Sequence, residues 1–330
     1  MHENTCSTSF YGVKAIILNM NSSMVTEGMT VSGPKPRWLR RRLPHPGQSS
    51  TVMAAIKTRG LHTVCEEAHC PNQLECFGSG IATFLLLGPS CTRRCTFCSV
   101  DKSPVRKPDP GEPQRTAEAV AQMGLQFSVV TMVTRDDLPD GGAEHVARTI
   151  RAIHETCPGV GVEVLISDLR GNWHALEVVL AARPEVVNHN VETVPRLYPR
   201  VRPQADYPRS LELLSRASAF TPPVVTKSGL MLGLGEARKE VLNVMDDLRN
   251  VDCHALTLGQ YLAPSRQHHP VARYIPPEEF AEYKAQAVAR GFWGVASAPL
   301  VRSSYRAEEM YSTAFARLSA RNPDSQTAAT

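Results

Sequence analysis

No stretch of this 330-residue chain approaches 18 consecutive apolar residues, so a membrane-spanning helix is not expected. The apolar run Ala15 to Leu18 is too short for a signal-peptide core and lacks a clean basic start. An excess of one charge is missing too: 36 Lys and Arg against 32 Asp and Glu leave a net +4, too mild to argue for nucleic acid. There is no internal repeat and no low-complexity tract. A soluble, globular protein of the cytoplasm or an organelle matrix is therefore expected, the cytoplasm first. The last thing missing is a complete set of four cysteines. Six of the nine cysteines fall within 34 residues, but as two triplets: Cys65, Cys70 and Cys76, then Cys91, Cys95 and Cys98. In a reducing compartment such crowding reads as metal or cluster ligation rather than a disulfide frame.

Residues 1–33 are polar and irregular and are expected to form a disordered tail, with Met29 a plausible alternative start. An N-terminal extension, 34–80, holds the first triplet. It contains a basic run in which Arg37 to Arg42, beside Trp38, form either a solvated arm or a docking patch for an acidic partner. A helix is expected over 48–62. From residue 81 short apolar runs at 81–88, 127–133, 162–167, 185–190, 224–235 and 255–262 read as buried strands. Helical stretches at Thr116–Leu125, Ala143–Thr156, Trp173–Ala182, Tyr207–Phe220 and Arg238–Asn250 lie between them. This alternation predicts an α/β fold, a partial (β/α)6 TIM-like barrel over 81–295, with chemistry at the carboxyl ends of its strands. Residues 296–330 form a C-terminal extension with a flexible end.

The second triplet, spaced C-x3-C-x2-C, directly follows the first barrel strand. Three thiolates on one loop can hold three corners of a cubane iron–sulfur cluster and leave the fourth iron open. Zinc is the alternative, but structural zinc hairpins favour C-x2-C pairs, and Phe97 before the last cysteine fits them poorly. The first triplet, C-x4-C-x5-C, is no zinc-finger spacing. It suits either an auxiliary cluster facing the same cavity or a structural cluster pinning the N-terminal segment to the barrel.

The loop "CTRRCTFC" resembles the signature of the radical S-adenosylmethionine superfamily. Two later motifs agree: Asp140, Gly141 and Gly142 after the second strand, and "GLMLGLGE", Gly229 to Glu236, with Met231 in place of the usual Ile. The whole set is more specific. "CEEAHCPNQLEC", "RDDLPDGGA", "NHNVETVPRLY", "GQYLAPSRQHHPV" and "PLVRSSYRA" resemble the lipoyl synthase family from about Lys35 to Tyr311. "LISDLRGNWHAL" and "VDCHALTLGQYL" are most similar to cyanobacterial forms.

That resemblance implies two 4Fe–4S clusters. The one on Cys91, Cys95 and Cys98 would bind S-adenosylmethionine at its open iron and release a 5′-deoxyadenosyl radical. The other, on Cys65, Cys70 and Cys76, would take Ser304 of "RSSY" as its fourth ligand and be consumed as the sulfur donor. A serine oxygen matches this iron less well than thiolate, which suits a labile corner. Read locally, Ser304 sits before "AEEMYSTAFARL", where a helix cap is the simpler role. The resemblance also implies an octanoyl group on a lysine of a lipoyl carrier domain, either a 2-oxoacid dehydrogenase E2 subunit or the glycine cleavage H protein. Sulfur is inserted at C6 and C8 with two S-adenosylmethionine molecules per lipoyl group. Burying the acyl chain would contribute roughly 0.8 kcal/mol per methylene. A reductant such as ferredoxin or flavodoxin and an iron–sulfur carrier protein complete the partners, with no nucleic acid and no membrane.

For the cofactor the resemblance implies Phe97, Asp140, Gly141, Gly142, Asn188, Asn190, Glu192, Lys227, Gly233 and Glu236. Arg135, Asp136 and Asp137 read equally as site residues or a salt-bridged loop. His189 reads as an orienting hydrogen-bond donor, and Cys6, Cys157 and Cys253 as bystanders. Thr134 and Gln204 depart from the family, which usually has Asn or Asp and Gly there. Competing readings are a biotin-synthase-like sulfur-inserting enzyme and a non-catalytic iron–sulfur electron-transfer protein. The extra triplet with RSSY argues against the first, and the incomplete cysteine sets against the second.

Overall fold

The computed structural model describes residues 34–40 and 50–321. The expected tail at 1–33 with Cys6 and Met29, then Arg41 and Arg42, and the chain beyond 321 lie outside these residues.

Eight strands form one sheet in chain order: β1 (His62–Thr63), β2 (Thr83–Leu86), β3 (Phe127–Met132), β4 (Gly161–Leu165), β5 (Val186–Asn188), β6 (Val225–Leu232), β7 (Ala255–Gln260) and β8 (Gly294–Ser297). Strands β2 to β8 are parallel, while β1 pairs antiparallel with β2 through His62 opposite Leu85 and Thr63 opposite Phe84. The sheet ends at β1 and β8, so the barrel stays open, as its partial repeat count implies. Helices α1 (Ser50–Lys57), α2 (Val64–Glu67) and α3 (Gln73–Gly78) flank β1. The crossovers are α4 (Glu112–Met123), α5 (Ala143–Thr156), α6 (Trp173–Ala181), α7 (Tyr198–Val201) with α8 (Tyr207–Ser218), α9 (Arg238–Asn250) and α10 (Pro277–Ala289). Helix α11 (Ala307–Arg321) closes the described chain.

Local sequence explains these elements. Strands β2 and β7 are buried along their whole length, as strands covered on both faces must be. Helix α5 buries Val146, Thr149, Ile150 and Ile153, one stripe at helical spacing. Helix α4 stops at Gly124, whose φ of 64° is a left-handed cap cheap only for glycine. Helix α11 lies across the starting ends of the strands. Tyr311 stacks on Phe127 with ring centroids 5.2 Å apart, and Ala314 and Leu318 share a core with Val186, Val225 and Trp293.

The six expected strands are β2 to β7. Strands β1 and β8 and helix α10 were not foreseen. Two residues of β1 are too few to show a period, and β8, "GVAS", is small and mostly half-buried. The expected boundary after residue 295 falls inside β8, and β1 joins the extension at 34–80 to the barrel's own sheet. No described helix is long and apolar enough to cross a membrane.

Candidate functional site

The loop with Cys91, Cys95 and Cys98 leaves the carboxyl end of β2 and returns at Asp101, whose carbonyl accepts the Cys91 N–H at 2.8 Å. A buried clamp sets its departure. Leu87 sits at φ 71°; its N–H donates to Glu112 Oε2 at 2.8 Å, and the same oxygen accepts from His145 Nε2 at 2.7 Å. Farther along, the Arg93 guanidinium is 4% exposed and inserted among strand ends. It donates to Asp136 at 2.7 and 3.0 Å and to Asp168 at 2.5 Å, and Asp168 also meets Arg209 at 3.4 Å. The Thr92 N–H and hydroxyl donate to the Thr134 carbonyl at 3.0 and 2.9 Å. The departure at Thr134 is therefore neutral for this contact, since any residue supplies a carbonyl. Thr96 binds the carbonyls of Arg200 and Val201, and the His269 N–H donates to Thr96 O at 2.9 Å. The other departure, Gln204, accepts the Arg94 N–H at 2.6 Å, a bond that glycine could not make.

Burial pushes the Cys98 thiol up to about 11 and raises Cys95 as well, against the pull of Arg202 on the latter. Thiols held protonated in this way release protons when iron binds. Arg202 is buried and donates to the carbonyls of Asn190 and Val191 at 3.0 Å and to Tyr198 Oη at 3.1 Å, while its Nε has no partner among the described residues.

The strand ends around this loop hold most of the other expected site residues. At the end of β5, Asn190 Nδ2 donates to half-buried Glu192 at 3.1 Å, and burial raises the Glu192 carboxyl. After β6, Glu236 accepts the N–H groups of Gly233 and Leu234 at 2.6 and 2.9 Å; burial raises its carboxyl and these bonds oppose the rise. Phe97 is half-buried against the core of this half of the barrel. Lys227 already has a carboxylate: its ammonium and Asn188 Nδ2 both hold Glu163 at 2.8–2.9 Å, with Lys227 and Glu163 1% exposed. Asp140 caps α5 by accepting the N–H groups of Gly142 and Glu144, and Gly142 lets Leu87 pack where a Cβ would lie 2.4 Å from it. Arg135 pairs in two-pronged fashion with Asp137 at 2.8 Å, so "RDD" is a salt-bridged loop that also anchors Arg93. His189 spends both ring nitrogens, on Ile166 O at 2.9 Å and Ser210 Oγ at 3.0 Å, and burial lowers it to about 4.

The first triplet is built on short helices. Thr63 caps α2, accepting the Glu66 N–H at 3.3 Å while its hydroxyl donates to the Glu66 carboxylate at 3.0 Å. This fixes buried Cys65, whose thiol burial pushes up to about 11. Cys70 follows on a backbone bond to Cys65 O, and Cys76 lies in α3. Ser99, next to Cys98, donates to Glu67 O at 2.5 Å and lies 3.2 Å from His69 Nδ1, so the two triplets adjoin. Buried Asn72 donates to Leu300 O at 2.7 Å, bringing the segment before Ser304 to the same place. Ser304 lies in the turn ahead of α11, and among the described residues its hydroxyl caps no helix.

These residues fit the implied groups. Both triplets consist of thiols outside any disulfide. Asn190 Oδ1 is buried without a hydrogen-bond partner among the described residues. It lies where a Cβ on Gly229 would approach to 2.8 Å, so the bare glycine leaves it room. Cys157 and Cys253 stand apart, with thiols raised by burial, as inert bystanders are. Sequence reasoning missed Arg93, Asp168, Glu163, Glu112, His145 and Arg202. Only Arg93, inside the cysteine motif, and Asp168, just past a strand, carried a local signal.

A family model of the radical SAM superfamily matches residues 85–248. The chain is 54% identical over 273 residues to the lipoyl synthase of Chloroflexus aurantiacus, covering 83% of this chain and 89% of that one. The chain belongs to the lipoyl synthase family. It is also 54% identical over 275 residues to the lipoyl synthase of Caldicellulosiruptor saccharolyticus, covering 83% and 96% of the two chains. Among solved structures, HydG, a maturase of the FeFe hydrogenase, superimposes with TM-score 0.53 at 18% identity over 64% of this chain and 50% of that one. Streptococcus suis SuiB bound to S-adenosylmethionine gives 0.51 at 9% identity, over 62% and 47%. At such identities these structures share the barrel fold with this lipoyl synthase family member and nothing more.

Proposed function

We propose that this chain is a sulfurtransferase that inserts two sulfur atoms, at C6 and C8, into an octanoyl group held on a lysine of a lipoyl carrier domain, in the cytoplasm. The carrier is an E2 subunit or H protein, the electrons come from a ferredoxin or flavodoxin, and an iron–sulfur carrier protein renews the consumed cluster. Cys91, Cys95 and Cys98 would hold the cluster that binds S-adenosylmethionine; Cys65, Cys70, Cys76 and Ser304 would hold the second. When bound, the first cluster and its cofactor supply a carbon-centred radical, and the second supplies sulfur. The chain's own part is to set these groups side by side. Asn190, Glu192 and Glu236 offer polar contacts to the cofactor, Gly233 a close backbone approach and Phe97 an apolar wall. Asp140, Gly141 and Gly142 shape the neighbouring turn, and Asn188 and Lys227 stiffen the barrel floor through Glu163.

One observation carries this reading: Ser99 joins the two triplets, and Asn72 ties the first to the segment leading to Ser304. A protein with a single radical cluster has no use for that junction. The test is anaerobic incubation with an octanoyl-lysine peptide, S-adenosylmethionine and dithionite, read by mass spectrometry. Two added sulfurs are expected. Cleavage of S-adenosylmethionine with no gain of sulfur would overturn the proposal.

A further inference from the structure

Several arginines on the barrel's flanks are paired with carboxylates. Arg151 meets Glu144 at 2.7 Å, Arg216 meets Glu212 at 2.8 Å, Arg238 meets Glu282 at 2.6 Å and Arg290 meets Asp246 at 2.7 Å. The outer edge of the second cysteine loop differs. Arg94, on the loop itself, is exposed, as are Arg200 and Arg266, and none of the three has an ion pair with a described residue. Backbone bonds bring them to one place. Thr96 Oγ1 donates to Arg200 O at 2.9 Å, and Thr96 O accepts from His269 N, three residues past Arg266. The carboxylates nearest in sequence bond elsewhere: Asp101 accepts from Ser90 and Ser103, and Asp206 from the first turn of α8. Three exposed guanidinium groups, without an ion pair among the described residues, therefore lie on the chain segments at or next to a loop whose thiols are only half-buried. The first triplet touches this loop at its other side, through Ser99.

We propose that Arg94, Arg200 and Arg266 form the docking surface for an acidic one-electron carrier protein. The proposal rests on the reading that Cys91, Cys95 and Cys98 hold a redox-active cluster. One electron passes per encounter: the carrier is oxidised by one, the cluster is reduced by one, and no bond or proton is exchanged. Electron transfer weakens steeply with distance, so a donor gains most by sitting on the loop that holds the cluster, away from the side where an acyl chain must reach both triplets. Unpaired cations speed the approach of an anionic partner and make it salt-sensitive.

The test uses the full chain with both clusters reconstituted, and the triple variant Arg94→Glu, Arg200→Glu, Arg266→Glu. Reduced flavodoxin and dithionite are the two donors. With flavodoxin, cleavage of S-adenosylmethionine should fall about tenfold or more and lose its salt dependence. Binding of oxidised flavodoxin, followed by calorimetry, should weaken in step, while the dithionite-driven rate is retained. Should the Glu variant fail to hold its clusters, the Gln triple variant replaces it, with a smaller loss in the same direction. The proposal is overturned if flavodoxin binding is unchanged or if the dithionite rate falls in parallel. It is equally overturned if only the KM for an octanoylated carrier domain rises, which would assign the surface to that partner. Sulfur insertion by the unmodified chain with dithionite, being independent of this surface, separates failure here from failure of the functional reading.

Discussion

The two cysteine triplets adjoin, yet the chain holds them by different means. The loop at 91–98 is gripped by buried charge: Arg93 reaches Asp136 and Asp168, Glu112 and Arg135 bind the backbone of Leu87 at its start, and His145 holds Glu112. The segment at 65–76 sits on α2 and α3 at the sheet's antiparallel edge, with a threonine cap, backbone bonds, a partly exposed Glu67–His62 contact at 3.4 Å and hydrogen bonds through Ser99 and Asn72. Over-determined buried networks hold one geometry, while edges with few such contacts open at lower cost. A rigid loop suits a site used unchanged at every turnover. A loosely braced segment suits one that is dismantled and rebuilt.

The largest effect should come from removing one thiol from each. Cys95→Ala should abolish reductive cleavage of S-adenosylmethionine, whereas Cys70→Ala should cleave it and insert no sulfur. Each variant should keep about four irons where the parent holds about eight. Identical behaviour of the two variants would erase the comparison.

Next is Arg93→Leu, which strips the grip from one side only. Leaving buried Asp168 with only the 3.4 Å contact from Arg209 should cost up to about 3–5 kcal/mol. Iron should be lost from the 91–98 loop ahead of the other, visible as a variant that still carries about four irons. Acid titration sharpens this. Burial by itself would raise the Asp168 carboxyl, but Arg93 overcomes it and holds the group below the ordinary carboxylate range. A depressed carboxyl contributes stability above its unfolded value of about 4, lost as pH falls through the lower folded value. The gap between parent and variant in thermal melts should therefore close as the pH drops below about 4. A constant gap would mean the pair is not what Arg93 supplies.

How much of this was legible beforehand follows the same divide. Candidate ligands written as short local spacings, Cys91 to Cys98 above all, could be named from the residues, and the strands β2 to β7 could be read from continuous apolar runs. The partners of those ligands could not. Glu163 and Lys227 lie on different strands and meet only through the sheet's register, which no local pattern reveals. Lys227 illustrates the hazard, since a lone lysine at a strand end invites a ligand, and the fold supplies Glu163 instead. Gln204 shows the converse: a departure from the family pattern became a bond to the Arg94 backbone once the chain was folded. Strands β1 and β8 escaped because edge strands need no long apolar run.

Ser304→Ala tests the looser side by one atom. Cleavage of S-adenosylmethionine should stay close to that of the parent while sulfur insertion falls. Unchanged insertion would return this serine to a turn-forming role, although no cap from its hydroxyl is present among the described residues.

The smallest expected effect is at Asn72. Asn72→Ala removes a buried neutral hydrogen bond to Leu300 O, worth about 1 kcal/mol net and up to about 3 if the carbonyl stays unsatisfied. The melting temperature should drop only slightly, and cleavage of S-adenosylmethionine should be untouched, because nothing in the 91–98 loop depends on this bond. Sulfur insertion should nevertheless fall by more than the loss of stability accounts for, since Asn72 helps bring the Ser304 segment to the first triplet. If insertion merely tracks stability, the two triplets are braced more alike than their hydrogen bonds suggest. If insertion fails while iron content holds, the junction itself is what the looser region exists to keep.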